Sequence, residues 1–199
     1  MVRVAVRAWL GALAAAGMAA GCSSDGGGSD ADARPSYAEL GEEAEALTDR
    51  TENLPLTDPS LLPTSGGASY DGVIALGSDG AGGAPEEFAG ELTLNVGFRG
   101  DDLTGQATNF VTASEERLDG TLAITDGDIA RGTDPELEPT YAFDMGGTLS
   151  DADGDDYRVE ATGVGAFLGE DAEATFGFVG GEMTSDKGTA TLGGAYVAD

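Results

Sequence analysis

Four aspartates, Asp151, Asp153, Asp155 and Asp156, crowd one short stretch and could offer oxygens to a hard cation. Ca²⁺ takes six to eight such ligands, but no glutamate follows at the distance an EF-hand loop needs. An Asp-Gly hairpin turn accounts for the same residues without a metal. Tyr70, Tyr141 and Tyr157 carry phenols that could ligate haem iron, yet each sits in an alternating stretch where aromatic packing is the ordinary role. The 37 acidic residues permit a paired-carboxylate hydrolase in principle, although spacing singles out no two of them. With no histidine and one cysteine, the chain has no Ser-His-Asp triad, no Cys-His dyad and no histidine-based zinc or haem site. No catalytic residue, metal ligand set or cofactor is assigned, and the chain is expected not to be an enzyme.

The remaining reactive group is the single cysteine, Cys22, which ends the run Met18-Ala19-Ala20-Gly21-Cys22. Arg3 and Arg7 form a positive start, and Ala8 to Ala20 carries no charge. A helix of that length rises about 20 Å, short of a hydrocarbon core of about 30 Å, so the run reads as a signal-peptide core and not as a span. Trp9 belongs to this leader. Small residues before Cys22 suit cleavage there, and the whole arrangement resembles a bacterial lipoprotein signal, with Ala19 where leucine is commoner. The resemblance implies that Cys22 is the site of lipid attachment and the first mature residue. A thiol left unpaired in an oxidising compartment would otherwise be a liability. At least two acyl chains are needed for stable anchoring. Ser23, rather than Asp, follows the cysteine, which by the same resemblance implies the outer membrane.

Charge narrows the partners. The chain has 37 acidic against 9 basic residues, a formal net charge of −28, and two of those bases lie in the leader. Such a surface repels phosphate backbones, so nucleic acid is excluded as a partner and a monomer is expected. Basic partners or cations would be attracted.

Organisation follows composition. Residues 1–21 are the signal peptide and 22–36 a flexible tether of Ser, Gly, Asp and Ala, with nothing large to bury. A short amphipathic helix is expected over 37–52. It opens on the capping-box pair Ser36 and Glu39, and its stripe is Tyr37, Leu40, Ala44 and Leu47. It would pack on the main domain or fray. Pro55, Pro59 and Pro63 mark a linker over 53–67, so that 22–67 would form a stalk.

Residues 68–199 alternate with period two. Phe88, Gly90, Leu92, Leu94, Val96 and Phe98 share one face; Glu91, Thr93, Asn95 and Arg99 share the other. Similar runs cover 70–76, 118–124, 141–149, 157–167 and 189–197, with a weaker one over 103–112. Turn signals lie at Ser78-Asp79-Gly80, Gly100-Asp101-Asp102, Asp126-Gly127-Asp128, Asp151 to Gly154 and Ser185 to Gly188. This predicts an all-β domain, an antiparallel up-and-down barrel or sandwich of about eight strands. Gly163, Gly165, Gly177 and Gly180 would mark bends or close backbone approaches.

Three stretches then resemble a known family. Leu62-Pro63-Thr64-Ser65-Gly66 leading to Tyr70-Asp71-Gly72 is similar to the entry into the barrel of transferrin-binding protein B and related surface lipoproteins. Leu92-Thr93-Leu94 with Phe98, then Leu103-Thr104-Gly105 and Asn109, resembles that family's first long hairpin. Gly165, Phe167, Gly169, Ala172 and Gly177 resemble the segment near the end of these barrels, also seen in factor H-binding protein. Glu170 replaces the family's usual proline, and the chain has room for one barrel without a handle domain. The resemblance implies a closed barrel on a lipid-anchored surface protein that binds a protein or nutrient carrier. It transfers no binding residue, and transferrin itself is not implied. A structural, protective acidic lipoprotein with no specific ligand is the alternative.

Overall fold

The computed structural model describes residues 34–132, 134–138 and 140–199. The signal peptide, Trp9, Cys22 and most of the tether lie outside these residues. Eight antiparallel strands form a closed barrel in sequence order. They are β1 (Gly67–Ser78), β2 (Glu87–Gly97), β3 (Asp102–Thr112), β4 (Arg117–Ile129), β5 (Tyr141–Ser150), β6 (Asp156–Leu168), β7 (Ala174–Ser185) and β8 (Gly188–Ala198). Closure is by β1 on β8, from Gly72 opposite Ala198 to Ser78 opposite Leu192. The expected barrel of about eight strands is the observed one.

The interior is packed solid. An eight-stranded barrel has a bore just wide enough for side chains to fill it, and here Phe88, Phe110, Phe143, Phe167, Tyr141 and Tyr196 do so. Tyr141 and Phe167 centroids are 5.0 Å apart, and Phe143 stacks on Tyr141 and lies tilted against Tyr196. Glycines make room for these rings. A Cβ on Gly165 would run into the hydroxyls of Tyr141 and Tyr196, and one on Gly163 into the ring of Phe143. Gly177 likewise clears Tyr196 and the Val164 carbonyl. Gly180 differs from the expectation: a Cβ there meets nothing within 4 Å, so no close approach explains it.

The one α-helix among the described residues, α1 (Tyr37–Thr51), packs on the barrel and does not fray away from it. Its capping box forms as expected: Ser36 Oγ accepts from the Glu39 N–H, and the Glu39 carboxylate accepts from the Ser36 N–H at 2.8 Å. Leu40, Ala44 and Leu47 are buried against the outward residues Val73, Ala89, Val111 and Val197. Arg50 pairs with Asp199 at 2.9 Å, while Arg117 donates to the Pro35 and Arg34 carbonyls. Arg34 and Pro35 are thus held on the barrel wall, although composition placed them in the free tether.

The expected linker is also bound. Residues 53–66 run across the barrel end at which β1 begins. Thr57 donates its N–H to Phe167 O at 2.9 Å and its hydroxyl to Gly169 O at 2.6 Å. Leu62 is buried in the same core cluster as Phe98, Tyr70 and Phe167. Arg131 fastens this strap: its guanidinium donates to the carbonyls of Leu62, Pro63 and Phe98 at 2.7–2.8 Å and to Asp101 Oδ1 at 2.6 Å. Of the stalk expected over 22–67, residues 34–67 pack on the barrel, and residues 22–33 lie outside the described residues.

One turn signal was misplaced. Asp126-Gly127-Asp128 lies inside β4, where Asp126 adopts φ 53° and the register against β5 shifts between Thr125 and Asp128. It is a bulge, and the β4–β5 connection comes later, over residues 130–140.

The glycines give a paired test. Gly177→Ala should cost about 3 kcal/mol through overpacking. Gly180→Ala should be neutral or stabilise by about 0.5–1 kcal/mol, since it removes backbone entropy without a clash. Urea midpoints of the two variants check this, and equal effects would contradict the packing account.

Candidate functional site

The aspartate turn is already committed to its own architecture. Asp151 Oδ1 accepts the N–H groups of Asp153 and Asp155 at 3.0 and 2.9 Å, and Oδ2 accepts the Tyr157 hydroxyl at 2.9 Å. These donors, the Asp155 N–H first, hold the Asp151 carboxyl below the ordinary range. Asp155 is paired with Lys187, and Asp156 accepts from Ser150 Oγ at 2.5 Å. Among the described residues no group of three or more potential ligands is placed to hold a metal. The turn serves instead to lock the end of the barrel opposite the strap: Ser185 donates to the Gly82 carbonyl of the β1–β2 loop, and the Tyr157 hydroxyl, whose proton goes to Asp151, lies 3.3 Å from the Gly83 carbonyl.

Tyr70 and Tyr141 are inside the barrel. Tyr70 donates to Ala172 O at 2.7 Å. Tyr196 donates to the Tyr141 hydroxyl at 2.8 Å, which in turn meets Thr175, and Thr175 donates to Ala166 O. Every buried side-chain polar atom described has a partner. Burial pushes the Tyr70 phenol up to about 12 and raises those of Tyr141 and Tyr196 further above their usual value. These are structural phenols with no open face for a haem.

What the barrel leaves open is outside it. The outward residues of β5, β6 and β7 line up in rows across the strands. Ala142, Val164 and Phe178 are neighbours in one row, and Asp144, Thr162 and Gly180 in the next. Gly146, Glu160 and Glu182 make the third. Val164 is 38% and Phe178 37% exposed, so this end of the face is bare and apolar. Behind it lies an open groove of about 590 Å³ lined by Thr125, Asp144, Gly146, Glu160, Thr162 and Gly180. Glu160 pairs with Arg158 at 2.5 Å in an exposed contact, while Asp144 and Glu182 have no ion-pair partner among the described residues.

Sequence reasoning missed this face because β7 alternates the wrong way. Its inward residues include Gly177, Val179 and Gly181, whereas Phe176 and Phe178 point outward. Small residues inside leave space for the large rings of neighbouring strands. The signal was present as an unmatched aromatic pair flanked by glycines.

No protein-family model matches the chain, and no curated protein sequence matches it either.

The buried phenols predict an alkaline limit. Their folded values lie above the value of about 10 for an unfolded tyrosine. The stabilisation is complete below about pH 10 and is lost as pH rises through the folded values, because the unfolded chain then binds fewer protons. Each such tyrosine steepens the loss by up to about 1.4 kcal/mol per pH unit. Urea midpoints should therefore fall between pH 9 and pH 11.5, and less steeply in Tyr70→Phe. An identical slope in that variant would show the loss to be general charge repulsion.

Proposed function

We propose that this chain is a lipid-anchored bacterial surface protein whose small barrel is a binding module for a protein or nutrient carrier. The observation that carries the reading is the asymmetry of the barrel wall. Buried aromatic and aliphatic side chains of the described residues fill the barrel interior, one flank is covered by α1, and the flank of β5–β7 carries an exposed aromatic and a groove. A barrel filled in this way binds through its outer wall or its loops, and on the wall Val164 and Phe178 set adjoining, partly exposed apolar side chains beside the groove. The resemblance to the transferrin-binding protein B barrels supports the same reading, as does the lipoprotein-like leader ending at Cys22. On this reading the molecule is a binder and no enzyme. The tether is shorter than composition suggests, so the barrel is held close to its anchor. The acidic charge of −28 favours the competing reading of a protective coat.

Two measurements decide these points. Cys22→Ser should move the protein from the membrane fraction to the soluble fraction; retention and unchanged processing would overturn lipid anchoring. The immobilised full chain should recover one partner saturably at physiological salt. Recovery of many basic proteins, all released by modest salt, would establish the protective coat instead.

A further inference from the structure

We propose that the bare face of β5–β7 docks an extended cationic segment of a partner protein, with a Lys or Arg side chain lying on the Gly180 floor between Phe178 and the Glu160–Glu182 pair. The proposal rests on the binding-module reading and names the surface and the chemistry of the partner.

Three observations converge on this face. The first is Gly180 itself. Glycine within a strand weakens it and commonly marks a place where another group approaches closely. Neighbouring glycines are explained by the barrel: Gly147, Gly165, Gly177 and Gly181 would each drive a Cβ into backbone or ring atoms. Gly180 has open space where its Cβ would be, so the barrel makes no demand for glycine there. Its effect is to keep the groove floor low.

The second observation is the placement of charge. Glu160 lies directly opposite Glu182 in the β6–β7 ladder. Like charges at opposed positions are destabilising. Arg158 reaches Glu160, but that pair is exposed, with side chains 71% and 70% accessible, and worth little. Asp144, one row nearer Phe178, adds a third carboxylate on the same face. A cation arriving from outside relieves this repulsion.

The third is the apolar bank. Val164 and Phe178 stand two positions from Thr162 and Gly180, a step of about 7 Å along a strand. Lys and Arg bury an aliphatic stem while keeping the charged head solvated. A face that is apolar at one end, flat in the middle and acidic at the other matches such a side chain. An apolar residue of the same segment would meet Phe178.

Charge also selects among occupants. A second copy brings another net −28, which opposes self-association across an acidic face. Phosphate backbones and anionic lipid are repelled for the same reason. A neutral sugar would gain nothing from the opposed carboxylates.

The test uses the full chain in non-ionic detergent and a labelled peptide of alternating Lys and Val, with Lys→Gln and Lys→Glu versions. The Lys peptide should bind saturably and shift the amides of Thr162, Gly180 and Gly181; the Gln version should bind at least tenfold more weakly and the Glu version not at all. Gly180→Ile fills the groove without changing charge. It should weaken the Lys peptide at least tenfold while the melting temperature holds. Glu43→Gln, on the exposed face of α1, should leave binding unchanged. Equal binding by Gly180→Ile and wild type, or amide shifts scattered over all acidic surfaces, would overturn the proposal. If the Gly180→Ile chain still recovers the saturable partner, the docking face is wrong and the binding-module reading stands. If the wild-type chain recovers none, that reading itself fails.

Discussion

Closing eight strands into one ring sets the terms for everything else in this protein. Closure removes the sheet edges, which would otherwise pair with other chains. It also fixes a bore that side chains must fill without voids. Large rings are needed on some strands, and their neighbours must then be small. Tyr141 and Tyr196 occupy the centre because Gly165 and Gly177 yield the space, and their buried hydroxyls are satisfied by each other and by Thr175. A buried hydroxyl without a partner costs about 1–3 kcal/mol, so the network is a consequence of the packing and not an addition to it.

One end and one wall of the ring are then sealed by chain that comes before it, and the other end by the ring's own loops. Leu62 and the strap enter at the end where β1 begins, secured by the four hydrogen bonds of Arg131. A single guanidinium can do this because its donors project in a fixed fork. At the other end the aspartate turn, Tyr157 and Ser185 hold the β1–β2 loop down. α1 covers the wall at β8, β1, β2 and β3, where Val197, Val73, Ala89 and Val111 would otherwise face water. The packed domain consequently includes residues 34–66, well upstream of the first strand.

How much of this the sequence discloses depends on which force acts locally. β2 is legible because its inward residues are large and its outward residues polar, so period two stands out from Phe88 to Phe98. The capping box of α1 is legible because both partners lie within one turn. β7 is poorly legible because its alternation serves the rings of other strands, which no local window contains. The strap reads as a linker for a similar reason: its prolines announce irregular backbone, while the carbonyls that Arg131 collects come from residues about seventy positions away. Asp126-Gly127-Asp128 carries turn residues because a bulge needs the same left-handed backbone as a turn. The bare face is the least legible feature. It is defined by cross-strand rows, and a row draws one residue from each of several strands.

The wall that α1 does not cover can be weighed against the wall that it does. The row through Ala142, Val164 and Phe178 continues across Ala195 and Ala75 to Ala89. One apolar belt therefore runs around much of the barrel, covered by the helix on one side and open on the other. If the belt were only a by-product of strand propensity, its open half would be expected to carry small residues, as Ala195 and Ala75 do under or beside the helix. Instead a phenylalanine, Phe178, sits in the open half of this row, two positions from a glycine that the packing does not require. A large ring beside a needless gap is a poor way to build a wall and a good way to build a contact surface.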